Sequence, residues 1–129
     1  MEGLIRQGDV LLVPVEDRHV AARIRRGVTI PRVKGLGLVL AEGEATDHHH
    51  VVRTKGAKLI ERDGVLYLSV PPAGAELEHL TGADGEETKD HETLAVTRPK
   101  TGLYRVGGQR EYVPPTRSQV SPSTRRVYD

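Results

Sequence analysis

The chain has 129 residues, of which 36% are apolar, and its 19 Lys and Arg against 18 Asp and Glu give a formal net charge of +1. This length suits one ordinary domain with a modest core, and so small a net charge does not favour strong attraction to nucleic acid or an anionic membrane. Four Tyr and no Phe, Trp or Cys exclude disulfides, thiol catalysis and Cys-ligated zinc, and argue against base stacking on a row of aromatic side chains.

Residues 1–9 carry Glu2, Arg6 and Asp9 and contain no apolar run of signal-peptide length. The rest of the sequence has no apolar stretch long enough for a membrane-spanning helix. We therefore expect a cytoplasmic protein without membrane contacts, or one assembled into a virion if a phage encodes it.

Scattered Gly and Pro cut the chain into short apolar segments, which is typical of an all-β domain. Only residues 16–26 predict a short helix, ended by Gly27, and a β excursion is the alternative there. Asp63-Gly64 predicts the tight turn of a hairpin, Pro14 an edge or bulge, and Gly107-Gly108 a bulge or bend. Strands are predicted over residues 9–15, 36–42, 57–61, 65–70, 75–80, 93–96, 103–106 and 109–113, with a further strand starting at Val51.

These elements predict a mainly β fold, a single small antiparallel β-barrel or sandwich with at most one short helix, because long crossover helices are missing. We place the β-rich globular domain at residues 1–113. Residues 114–129 have the Pro, Ser and Thr content of a tail, although residues 126–129 contain Val and Tyr that can dock on the domain.

Three of the six His are consecutive, at His48, His49 and His50. Alternate side chains of a strand share a face, so His48 and His50 are expected to point together and His49 away from them. Two imidazoles on one face can clamp a divalent metal ion, and a third ligand must come from a distant strand, where His91 and His79 are the candidates. Such a set suits Zn, Fe, Mn or Ni. Glu42, Glu44, Glu92 or Gln109 can complete the coordination of the metal ion.

Other interpretations of the polar residues remain open. The three His can instead form a solvated turn. Glu111 is either a general base toward a metal-bound water or half of an exposed ion pair with Arg105 or Arg110. A basic segment can meet phosphate or an acidic partner, or simply form a solvated face; its members are Arg23, Arg25, Arg26, Arg32 and Lys34.

Four motifs stand out along the chain: QGDVLL at residues 7–12, GEAT followed by the alternate His pair at 43–50, DHE at 90–92, and YRV with QREY at 104–112. They resemble those of a group of small uncharacterised bacterial and phage-encoded proteins. The resemblance spans most of the chain and implies a site at the His residues, but it implies no reaction. Where members of the group carry Gly before the His pair, this chain has Asp47. Its carboxylate can alter the turn, or it can orient a metal-binding His through a hydrogen bond.

The alternate His pair, the downstream His and the β-rich pattern over residues 43–104 also resemble the cupin family. In that family an alternate His pair, a Glu a few residues later and a distant His bind a metal ion inside a barrel. The resemblance implies a small metal-dependent enzyme that uses His48, His50 and His91. In this sequence the first Glu after His50 is Glu61, and no Pro-x-Gly precedes His91.

Three functions follow from these patterns. The favoured one is a non-enzymatic interaction or assembly module, an accessory subunit or virion-type structural protein, that has a protein partner or forms a homo-oligomer and carries a His-based metal site. Residues 23–34, 81–90 and 114–129 would then be arms that become ordered on assembly. The alternative is the cupin-like enzyme, and the weakest is nucleic-acid contact through residues 23–34.

Overall fold

The computed structural model describes residues 3–42, 48–81 and 92–108. These residues form ten strands and one helix. In chain order the elements are β1 Ile5–Gln7, β2 Val10–Pro14, α1 Arg18–Ile24, β3 Val28–Ile30, β4 Leu38–Glu42, β5 His48–Val52, β6 Lys58–Arg62, β7 Val65–Ser69, β8 Ala75–Thr81, β9 Thr93–Val96 and β10 Leu103–Gly108.

The strands build two antiparallel sheets that pack face to face. One has the order β1-β2-β10-β7-β6-β3 and the other β4-β5-β8-β9. Their inner faces share one core, because alternate residues of each strand point inward. Its members are Val10, Leu12, Leu38, Leu40, Val52, Ala57, Leu59, Leu68, Val70, Ala75, Leu77, Val96 and Tyr104. The predicted mainly β class with one short helix is confirmed, in the form of a sandwich of two sheets.

Helix α1 covers the outer face of the six-stranded sheet. Ala21 and Ile24 pack there against Ile60 and Leu103. Asp17 caps the helix, because its Oδ1 accepts from the backbone N–H groups of residues 19 and 20. The helix predicted over residues 16–26 and its end before Gly27 are confirmed.

The hairpin formed by β6 and β7 is also as predicted. Asp63 has φ 54° and Gly64 has φ 81°, which are the positive angles that a two-residue hairpin turn needs. The turn chemistry therefore sets the register of this pair, from Arg62 opposite Val65 to Lys58 opposite Ser69.

Several predicted boundaries were wrong. The strand expected to start at Val51 begins at His48, because β4 and β8 pair with it on both sides. Gly107 and Gly108 continue β10 instead of bending it, since they pair with Leu11 and Val10 of β2. Strands β1 and β3 were not predicted.

Pro14 lies at the end of an inner strand. On one side it is opposite Tyr104 of β10, whereas the pairing of β2 with β1 reaches only as far as Leu12. Its missing N–H therefore falls beyond the end of β1, as the prediction of an edge position required.

The predictions for residues 82–90, the strand at 109–113 and the tail at 114–129 lie outside the described residues. Within the described part of the chain, α1 has seven residues, and no helix there has the length and apolar character needed to span a membrane.

Candidate functional site

Gln7, the last residue of β1, lies in a buried polar network between the two sheets, with only 1% of its surface exposed. Its Nε2 donates to the backbone carbonyls of Leu77, at 3.0 Å, and Glu92, at 3.1 Å. Two carbonyl acceptors identify the NH₂ end of the amide. Oε1 is therefore the atom that lies 2.8 Å from Nδ1 of His50.

The Gln7 amide fixes the tautomer of a neutral His50 ring. Because Oε1 can only accept, Nδ1 of His50 must donate, and a neutral His50 then carries its lone pair on Nε2. Metal-binding His side chains are held in this way, by a hydrogen bond to the nitrogen that does not bind the ion. Gln7 thus prepares Nε2 of His50 to act as a metal ligand or a proton acceptor.

His79 lies beside His50. The register of β5 and β8 places the two residues opposite each other, and their rings stack with centroids 4.3 Å apart and planes inclined by 15°. His50 is only 3% exposed, whereas His79 is half-buried. The pair therefore has one fixed, buried member and one member with greater access to solvent.

Gly8 leaves space at the edge of the His50 ring. A Cβ atom at residue 8 would lie 3.2 Å from Cε1 and 3.5 Å from Nε2 of His50, and Gly8 has φ +57°. Both the close approach and the left-handed backbone favour glycine. The Gln7-Gly8 pair thus supplies a bond to one nitrogen of His50 and room beside the other.

His49 belongs to the opposite face of the four-stranded sheet. It is opposite Leu80, and the apolar cluster on that face contains Leu36, Val51 and Leu80. The predicted separation of His49 from His50 is confirmed.

The face that carries His49 also carries an ion pair. Glu78 accepts from Arg53 at 2.7 Å, and this bond raises the pKa of Arg53.

The structure brings together two of the predicted metal ligands, His50 and His79. His48 is the first residue of β5, opposite Thr81, and therefore has the strand parity of His50. No group of three or more metal-ligating side chains occurs within residues 3–42, 48–81 and 92–108. The candidates that lie outside the described residues are His91, Asp47, Glu44, Gln109 and Glu111.

Glu92 enters the network through its backbone. Its carbonyl accepts from Nε2 of Gln7 and also from the backbone N–H of His79, at 2.9 Å. His91 directly precedes Glu92 in the sequence. The residue that follows His91 is thus bonded to the backbone of His79 and to the side chain that holds His50.

All five members of the predicted basic segment are exposed, but two of them are engaged in different places. Arg25 donates to Ser69 Oγ and to the carbonyl of Thr101. Arg32 donates to the carbonyls of Thr54 and Ala57. These bonds tie the segment to the domain.

Gln7 was not among the predicted site residues. The spacing of Ile5 and Gln7 could have indicated that Gln7 is buried, because residues two apart in a strand lie on the same face. Ile5 packs against the core, so Gln7 points the same way. Its bonding to residues 50, 77 and 92 depends on contacts distant in sequence, which no local pattern contains.

A comparison with protein families matches residues 6–109 to a domain of unknown function, DUF8820. This range includes Gln7, Gly8, His50 and His79. Comparisons with curated proteins and with solved structures gave no match. The match covers most of the chain, which therefore belongs to the DUF8820 family.

Proposed function

We propose that this protein is a non-enzymatic interaction module that holds a divalent transition metal ion through His50 and His79. The supporting observation is the hydrogen bond from His50 Nδ1 to a Gln7 amide whose other end is held by two carbonyls. Such a bond orients a metal-binding imidazole and increases its basicity. Imidazole ligands suit Zn, Fe and Ni.

The two rings have different parts in this proposal. Two nitrogens on one tetrahedral zinc ion lie roughly 3.3 Å apart on converging lines, whereas the stacked rings have centroids 4.3 Å apart and nearly parallel planes. One ring must therefore turn to bind the same ion. His79 is the one that turns, because His50 is buried and held by Gln7.

The third ligand remains a prediction from the sequence. His48 has the strand parity of His50, and His91 adjoins Glu92, whose carbonyl bonds to both Gln7 and His79. With either of them the set would have three imidazoles, as many protein ligands as a zinc ion needs in addition to water or a partner's side chain.

The burial of His50 favours a structural metal over a catalytic one. A catalytic ion needs an open position that a substrate can reach, and His50 is 3% exposed. Two surface clefts, of about 530 and 510 Å³, are lined by other residues, such as Pro14 and Tyr104 in one and Thr54 and Pro72 in the other. A metal that links strands and supports an assembly surface fits this geometry better than an enzyme.

Metal analysis and calorimetry on the full, untagged chain test the proposal. We expect saturable binding of Zn²⁺ that weakens at least about tenfold in His50→Ala and in His79→Ala. His19→Ala is the matched control, because His19 is an exposed residue of α1 and its loss should leave Zn²⁺ affinity unchanged. Absence of saturable binding in the wild-type chain, or equal affinity in His50→Ala, contradicts the metal site.

Light scattering on the same preparations tests the interaction role. We expect a homo-oligomer, or a monomer that associates when Zn²⁺ is added, since a metal ion that links β5 and β8 would also order the surface on which a second chain packs. A strict monomer at all metal and protein concentrations contradicts self-assembly.

A further inference from the structure

Two guanidinium groups converge over Gly102, far from the imidazole pair in the fold. A Cβ atom at Gly102 would lie 2.8 Å from Nη2 of Arg25 and 3.0 Å from Nη2 of Arg98. Gly102 also has φ +78° and is itself buried. The missing side chain at this position is what allows both cations to approach one point of the backbone.

Both guanidinium groups are oriented by neutral acceptors. Arg25 donates from Nη1 to Ser69 Oγ at 3.2 Å and from Nη2 to the Thr101 carbonyl at 2.8 Å. Arg98 donates from Nη1 to the Val70 carbonyl at 2.5 Å. A guanidinium has five N–H donors, so each group keeps donors for a further acceptor after these bonds are made.

The turn that carries Arg98 is itself held in place. The N–H of Gly102 donates to the Pro99 carbonyl, and the Gly102 carbonyl accepts from the N–H of Val70. Thr101 Oγ1 donates to the carbonyl of Val15. The positions of both guanidinium groups are therefore set by the fold before any ligand binds, which lowers the entropic cost of binding.

The two cations have no carboxylate partner among the described residues. Elsewhere on the surface Arg53 pairs with Glu78 and Arg62 with Asp63, but within residues 3–42, 48–81 and 92–108 no ion pair involves Arg25 or Arg98. Glu76 lines a cleft together with Arg98 without reaching ion-pair distance. Two like charges held together attract an anion.

Lys58 adds a third positive charge on this side of the sheet. It is opposite Ser69 in the pairing of β6 and β7, and Ser69 is the residue to which Arg25 donates. Side chains of opposed residues in an antiparallel pair lie on the same face. The outer face of the six-stranded sheet thus carries Lys58 next to the Arg25 anchor.

We propose that Arg25 and Arg98 form a binding site for a phosphate-class oxyanion over Gly102. Both Nη2 atoms lie about 3 Å from one point and are therefore at most about 6 Å apart, a gap that one oxyanion bridges with donor–acceptor distances of about 2.8 Å. A tetrahedral phosphate offers several oxygens to two forked donors. The site shares no residue with the Gln7, His50 and His79 network, so a test of one proposal does not decide the other.

Calorimetric titration of the full chain with inorganic phosphate, at constant ionic strength, tests this site. We expect saturable binding that weakens at least about tenfold in Arg25→Gln and in Arg98→Gln. Arg26→Gln is the matched control, since it removes the same charge from an exposed residue next to Arg25 and should change the affinity less than about twofold. Arg98→Lys keeps the charge but not the fork, and should fall between wild type and Arg98→Gln.

Glycerol phosphate, titrated in parallel, distinguishes the two sources of the ligand. Tighter binding than inorganic phosphate indicates a phosphomonoester, and equal affinity indicates the free ion. The Nε–H resonances of Arg25 and Arg98 should shift with either probe if both side chains touch it. No saturable binding by the wild-type chain, or wild-type affinity in a correctly folded Arg98→Gln or Arg98→Lys, overturns the proposal and leaves the two arginines as caps of backbone carbonyls.

Discussion

The imidazole pair and the guanidinium pair are built in opposite ways. His50 lies inside the sandwich, and its Nδ1 bonds to a Gln7 side chain that is also buried. Arg25 and Arg98 are exposed, and each donates to one backbone carbonyl beside a strand end, Arg25 to Thr101 and Arg98 to Val70. Substitution in the first region therefore changes folding and binding together, whereas substitution in the second should change binding with little effect on folding.

Replacing Gln7 by Leu should give the largest effect. It removes the Gln7 bonds to the His50 Nδ1–H and to the Leu77 and Glu92 carbonyls, of which the Glu92 carbonyl keeps its bond from the His79 N–H, and the loss of these buried bonds should cost about 3 kcal/mol in total. The measurement is the free energy of unfolding in urea. Leu4→Ala, on an exposed residue of the same N-terminal segment, should cost less than about 0.5 kcal/mol.

The contrast with the surface site comes from Arg98→Gln. It removes one charged donor from the carbonyl of Val70, a buried residue, but the shorter Gln side chain leaves room for water beside that carbonyl, so it should cost about 1 kcal/mol. If Gln7→Leu were as stable as Arg98→Gln, the buried network would not be the structural element described above.

The difference between the regions also decides what the sequence could reveal. The β6–β7 hairpin and helix α1 were predictable because Asp63-Gly64, the apolar spacing and Gly27 act on their own neighbours in the chain. The start of β5 was not, because three polar His become strand only when β4 and β8 pair with them. The parity that separates His49 from His50 was predictable from strand geometry alone.

The imidazole pair was half predictable. The sequence contained the list of candidate His, but the choice of His79 as the neighbour of His50 depends on a register between strands far apart in the chain. The guanidinium pair was not predicted as a pair, because Arg98 reaches Arg25 only through the turn that packs beside the end of α1. Local composition identified Arg25 as part of a basic segment and said nothing of Arg98.

The two glycines Gly8 and Gly64 allow a matched test at the imidazole pair. Both have positive φ, so replacement by Ala should cost roughly 1–2 kcal/mol at each. A Cβ at Gly64 meets nothing within 4 Å, whereas one at Gly8 meets the His50 ring at 3.2 Å. We expect Zn²⁺ affinity to fall about tenfold in Gly8→Ala and to be unchanged in Gly64→Ala. Equal affinity in both variants would mean that the ring edge facing Gly8 takes no part in binding.

The smallest effect concerns Asp17, at the end of α1 opposite Arg25. Hydrogen bonds from the backbone N–H groups of Val20 and His19 lower the pKa of the Asp17 carboxyl. The folded state therefore favours the carboxylate, so this stabilisation is present above the ordinary carboxyl pKa of about 4 and is lost as the pH falls through the lower pKa of the folded chain. Asp17→Ala should lower the melting temperature by a few degrees at most at neutral pH.

The Asp17 variants can be tested in two further ways, by their stability at acid pH and by their affinity for phosphate. The difference in melting temperature between wild type and Asp17→Ala should shrink in acid, and Asp17→Asn, which keeps an acceptor at the cap, should restore much of the neutral-pH stability. Because α1 has only seven residues, a frayed first turn also loosens the helix that carries Arg25 at its end. Phosphate affinity should therefore fall slightly in Asp17→Ala and much less than in Arg25→Gln; a loss as large as that of Arg25→Gln would mean that the helix, and not the guanidinium group, determines binding.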